Sequence, residues 1–165
     1  PQPVEFGGAP LLAGYPSVAS NGTIYFGHRS PGNVGEGDLH RSKFRLGSYG
    51  QPENLGRTVN TVYSEGDMCV APDESFLIVS CWNRPDNNGE SDLYISFRTE
   101  DGTWTSLLNM GSTINSEANE NCPTISPDGK YFLFFRYYPE TSAAITYWID
   151  AKIIESLRAA AKGKS

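Results

Sequence analysis

The sequence predicts an all-β protein made of repeated small sheets. Three observations carry that prediction. First, Asn54, Gly56, Asn60, Glu65 and Pro72-Asp73 recur as Asn109, Gly111, Asn115, Glu120 and Pro127-Asp128, every pair 55 residues apart. Second, each copy divides into short aromatic or β-branched runs bounded by turn residues. Third, 17 Gly, 11 Pro and 12% aromatic residues supply many turns and many strand formers within a length that suits one domain.

The elements follow in order. Residues 1–7 hold Gln2-Pro3-Val4-Glu5-Phe6-Gly7, which matches Gln51-Pro52-Glu53-Asn54-Leu55-Gly56 in order and in polar pattern. Residues 8–56 form a looser first copy. Its segment Ser17 to Gly22 aligns with Cys69 to Glu74 and with Thr124 to Gly129, and Gly37-Asp38-Leu39 aligns with Ser91-Asp92-Leu93. Residues 57–111 form the second copy, with Asp92-Leu93-Tyr94-Ile95 as a strand, Glu100-Asp101-Gly102 as a turn and Leu108-Asn109 as a last short strand. Residues 112–150 form the third. There Pro127-Asp128-Gly129 turns the chain between Cys122–Ser126 and Tyr131–Arg136, since Pro presets φ and Gly accepts positive φ. Residues 151–165 change character: Ile153, Ile154 and Leu157 stand at helical spacing ahead of a polar tail.

Each copy reads as a four-stranded meander, strands a to d. Radial repetition of such sheets makes a β-propeller. A β-sandwich gives no reason for matched turn residues at one offset. The third copy has strands a to c and then the helix, so its strand d is missing while a d-like strand stands at the N-terminus. The expectation is three blades per chain, half of a six-bladed ring. A homodimer would close it by exchanging the N-terminal strand (3+3 blades), removing two open sheet edges. The rival is that a longer chain supplies the other half.

The Ser-Pro-Asp-Gly-Lys-Tyr turn at 126–131, with Asp-Leu-Tyr-Ile at 92–95, resembles the TolB-like, WD-repeat-like propeller family. The resemblance extends to about Asp150. The turn is degraded to Ala-Pro-Asp-Glu-Ser at 71–75 and to Ala-Ser-Asn-Gly at 19–22. It implies a propeller fold and a bacterial periplasmic or secreted location. The motif is structural and transfers fold rather than function.

A net charge of −6 disfavours a nucleic-acid backbone or an anionic membrane as partner, and no apolar run is long enough to span a bilayer. Cys69, Cys81 and Cys122 show no metal-ligand spacing and read as free thiols. No cofactor is expected. A cation such as calcium held by the repeated acids is the exception considered, without an EF-hand-type loop to support it.

Strand alternation places the d–a and b–c connections on one face and the tight a–b and c–d turns on the other. The first face holds the candidate ligand residues. Glu65, Asp67, Glu120 and Asn121 come from d–a segments, and His28, Arg29, Trp82, Arg84, Arg136 and Tyr137 come from b–c loops. Carboxylates ringed by Arg and aromatics suit a peptide, a protein or a glycan. The expected function is a non-catalytic binding module. The alternative is a carbohydrate-active hydrolase or lyase using Glu65 and Glu120 as a carboxylate pair. No Gly-x-Ser-x-Gly or HExxH motif is present. A plainer reading makes Glu65 and Glu120 loop anchors that accept backbone N–H bonds, and assigns Trp104, Tyr94, Phe134, Tyr147 and Trp148 to packing between blades.

Overall fold

Three tight turns set the strand order, each where the repeat places its turn residues. Positive φ is required at the same point of each, and Gly22 (φ 83°), Glu74 (φ 58°) and Gly129 (φ 72°) supply it. A computed structural model describes residues 1–35 and 37–162; the polar tail expected after the helix lies, from residue 163, outside the described residues. The strands are β1 (Glu5–Phe6), β2 (Ala9–Pro10), β3 (Ala13–Val18), β4 (Ile24–His28), β5 (Asp38–Ser42), β6 (Phe44–Arg45), β7 (Ser48–Tyr49) and β8 (Glu53–Asn54). They continue as β9 (Ser64–Val70), β10 (Phe76–Trp82), β11 (Ser91–Phe97), β12 (Leu108–Asn109), β13 (Asn119–Ile125), β14 (Tyr131–Tyr138) and β15 (Ala143–Asp150), followed by helix α1 (Ile153–Lys162).

The described residues are mostly β, in four small sheets with one short C-terminal helix. Sheet I is ordered β3-β4-β5-β8, sheet II β9-β10-β11-β12 reading from its first strand, and sheet III β13-β14-β15. Each is an antiparallel meander. Strands a to d of the first two copies therefore stand where the repeat puts them, and the third stops at strand c.

The sheets are joined through their first strands. β9 packs against both β3 and β13. Ser17 Oγ accepts the Val70 N–H at 2.9 Å, tying β3 to β9, and Asp67 Oδ2 accepts the Cys122 N–H at 3.1 Å, tying β9 to β13. Between sheets I and II, Tyr25, Leu39, Leu77, Val79 and Tyr94 are fully buried with Trp104 beside them. Between sheets II and III the core is Ile78, Leu93, Ile95, Phe132 and Phe134, closed by Ile154 of α1. Burying an aliphatic or aromatic side chain of this size contributes roughly 1.5–3 kcal/mol.

The N-terminal segment does not complete sheet III within the chain. β1 pairs with β2, and Phe6 pairs in parallel with Tyr49 of β7. Phe6 then packs on Phe26, ring centroids 4.6 Å apart, covering the outer face of sheet I with Leu11 and Tyr49. At the other end, among the described residues, no strand covers sheet III. Trp148 is 67% exposed and stacks edge-on with exposed Tyr131.

Candidate functional site

Asp38 and Asp92 explain much of the repeat. Each is buried at the start of strand c and accepts two backbone N–H bonds from its own b–c loop: Val34 and Gly35 for Asp38, Asn88 and Gly89 for Asp92. Each also accepts from the side chain of the strand-d asparagine, Asn54 at 2.8 Å and Asn109 at 3.0 Å. That asparagine caps Gly56 or Gly111 and accepts from Asn60 or Asn115. Asn60 and Asn115 in turn clamp both backbone groups of Leu39 and Leu93. The recurring residues thus form a polar clasp that fastens strand d and the d–a loop onto strand c, with buried polar groups satisfied. In sheet III the position opposite Arg136 is Ile145, where Asp38 stands opposite His28 and Asp92 opposite Cys81. Among the described residues sheet III therefore lacks the acid that anchors the clasp in sheets I and II.

Glu65 and Glu120 anchor the d–a loops. The Thr61 N–H and hydroxyl both donate to Glu65 Oε1, at 3.1 and 2.5 Å; the Ser116 N–H donates to Glu120 Oε2 at 3.1 Å and its hydroxyl to Glu120 Oε1 at 2.6 Å. Glu65 is 4% exposed and Glu120 is fully buried. Their cross-strand partners differ. Glu120 faces Arg136, whose Nε donates at 2.7 Å while its Nη2 donates to the Ile114 carbonyl at 2.7 Å. Glu65 faces Cys81, and its buried Oε2 has no hydrogen-bond partner. Burial pushes the Glu65 carboxyl up to about 7, although the Thr61 bonds pull it down. Glu120 is also raised by burial, against the opposing pull of Ser116 and Arg136.

The b–c corners carry a second repeated unit. Arg136 lies over the Tyr147 ring at 4.5 Å. Arg84 enters from the loop and lies over Tyr94 at 4.4 Å, with Tyr63 at 5.8 Å, while Asp86 pairs with its Nε at 3.2 Å. An arginine stacked on a strand-c tyrosine therefore recurs in sheets II and III, though supplied from different positions. The different positions hid this unit from sequence comparison.

The remaining expected residues are more scattered. Trp82 and Tyr137 are half-buried at the ends of β10 and β14. Asn121 Oδ1 accepts from Ser91 Oγ at 3.0 Å, and Asp67 Oδ2 accepts the thiol of Cys122 at 3.2 Å. His28 donates from Nδ1 to the Leu12 carbonyl at 2.9 Å, and Arg29 is exposed beyond it. His40 is buried, donates to the Asp38 carbonyl, stacks on Phe26 and is held below the usual histidine range by burial. Cys69 faces Ile78 rather than Cys81, and all three cysteines are free. Among the described residues no group of three or more His, Cys, Asp or Glu is placed to hold a metal ion.

The face of the a–b and c–d turns also carries cavities. One cavity lies between α1 and residues 97–108, and another between α1 and the turns at 71–76 and 125–129. No protein-family model and no curated protein sequence matches this chain.

Proposed function

We propose that this chain is a non-catalytic propeller module of the TolB-like type that binds a peptide, a protein or a glycan on its b–c and d–a loop face. The observation that carries this reading is the repeated arginine–tyrosine platform, Arg84 on Tyr94 and Arg136 on Tyr147, with Trp82 and Tyr137 half-buried at the same strand ends. Tyr94 itself is buried, so a ligand would meet the half-buried arginines that cover these tyrosines together with the rings of Trp82 and Tyr137, polar and stacking groups on a rigid scaffold that suit sugar rings and extended peptides. The hydrolase or lyase alternative asks Glu65 and Glu120 to flank an open pocket. Both are buried and bonded within their own loops, which favours anchoring over chemistry.

The same proposal includes ring closure by a second copy. β9 touches both neighbouring first strands, so the three sheets follow one another in series, as blades do. Sheet II buries Ile78 and Ile95 beneath sheet III, whereas sheet III leaves Tyr131 43% and Trp148 67% exposed on its outer face. That face matches what a following sheet would cover. For strand exchange, β1 must first leave Tyr49 and Phe26. Light scattering tests this: a stable mass of 18.1 kDa at micromolar concentration sinks the dimer. A thermal-shift screen of glycans and peptides, repeated with Arg84→Gln and Tyr137→Ala, tests the face. A hit that survives both substitutions places the ligand elsewhere.

A further inference from the structure

The turn face carries a cavity that the loop-face reading does not use. It has a volume of about 660 Å³, within the range of small-molecule sites. Phe97, at the end of β11, and Leu107 and Leu108, on the return strand, give it an apolar wall; Ala161 closes it from α1. Two guanidiniums line it, those of Arg98 and Arg158, against one carboxylate, that of exposed Glu100. Neighbouring acids balance that charge, Glu74 beside Arg98 and Glu155 beside Arg158, so what distinguishes the two guanidiniums is how firmly each is held.

The two arginines are not equivalent. Arg98 is committed to structure: it pairs with Glu74 at 3.1 Å and lies near the Trp104 ring at 5.6 Å. Arg158 lies over the Phe97 ring at 4.5 Å, which fixes the guanidinium at the cavity wall. Its ion pair with Glu155 is 3.7 Å long, beyond hydrogen-bond range, and the Glu155 carboxylate is 73% exposed. Such a surface pair yields readily to a better acceptor. A planar fork held on an aromatic floor, beside leucines, recognises a carboxylate or similar oxyanion attached to an apolar body.

We propose that this cavity binds an amphipathic organic anion, its apolar chain along Phe97, Leu107 and Leu108 and its oxyanion against Arg158. The site is independent of the loop face, so either can fail without the other.

Decanoate below its micellar concentration is the probe, with 1-decanol as the uncharged comparison. Titration is followed by calorimetry and by the methyl resonances of Leu107 and Leu108. The expected result is saturable binding of decanoate, about tenfold weaker in Arg158→Gln, partly restored in Arg158→Lys and about tenfold weaker for decanol, the scale of a lost charge-assisted hydrogen bond. Trp148→Ser, at the exposed aromatic end of sheet III, should bind as the parent does. Thermal melts show whether each variant is folded. Equal affinity for decanoate and decanol, parent-like binding by Arg158→Gln, loss of binding in Trp148→Ser, or no shift at the Leu107 and Leu108 methyls would each overturn the proposal.

Discussion

Glu65→Gln isolates what an unpaired buried acid does to stability. In the folded chain the carboxyl is raised from 4.5 to about 7, chiefly by burial. A carboxyl with a raised folded value binds its proton more tightly folded than unfolded. Stability therefore falls as pH rises from about 4.5, where the unfolded chain ionises, to about 7, where the folded one does. At about 1.4 kcal/mol per pH unit, the penalty above pH 7 is on the order of 3 kcal/mol. Glutamine keeps an oxygen for the Thr61 N–H and hydroxyl and removes the ionisation. Other groups titrate nearby. Raised Glu120 acts in the same direction, lowered His40 makes stability fall as pH falls through its unfolded value, and the lowered acids Glu53, Glu74 and Asp86 act at lower pH. The quantity to measure is thus the difference between parent and variant. Urea unfolding at half-unit steps from pH 4.5 to 8 should show the variant gaining on the parent progressively, by about 2–3 kcal/mol at pH 8 after allowance for the new amide's unmet donors. A difference independent of pH across that window would refute the reasoning.

Three further outcomes follow from the same geometry. Glu120→Gln, which leaves the Arg136 guanidinium without its carboxylate, should cost about 2–4 kcal/mol in urea unfolding at pH 7, opposite in sign to Glu65→Gln. Glu74 holds a left-handed turn position yet bonds Tyr25 at 2.5 Å, Asn21 at 2.9 Å and Arg98 at 3.1 Å, so Glu74→Gly should destabilise by about 1–2 kcal/mol despite relieving backbone strain; a gain in melting temperature would contradict this. The Cys122 thiol is raised to about 11 by burial and by Asp67, so Asp67→Asn should speed its alkylation at pH 8 by roughly tenfold, with Cys81 staying inert in the folded chain.

The 55-residue offset made the meanders legible because turns and clasps use side chains that little else can replace. Asn60 and Asn115 must each present a donor and an acceptor to one backbone residue, so both copies keep Asn. Glu65 and Glu120 were visible as a repeat for the same reason, and the plainer reading of them as loop anchors matches their bonds to Thr61 and Ser116. The arginine–tyrosine platform was not legible, because Arg84 and Arg136 reach equivalent rings from positions three residues apart along strand b and its loop. The turn-face cavity was hidden too: it joins α1 to residues 97–108, a contact that no local pattern encodes.

By itself the sequence determined the all-β class, the three meanders, the missing fourth strand of the third and the helix that follows, since period, turn chemistry and apolar spacing are local properties. Only the tertiary structure decided the fates of residues whose partners are distant. It put Arg136 against Glu120 but Cys81 against Glu65, placed Phe6 on Phe26 rather than beside β15, and left Trp148 uncovered. The reason is physical: burial and pairing depend on which surfaces meet, and those meetings join segments tens of residues apart.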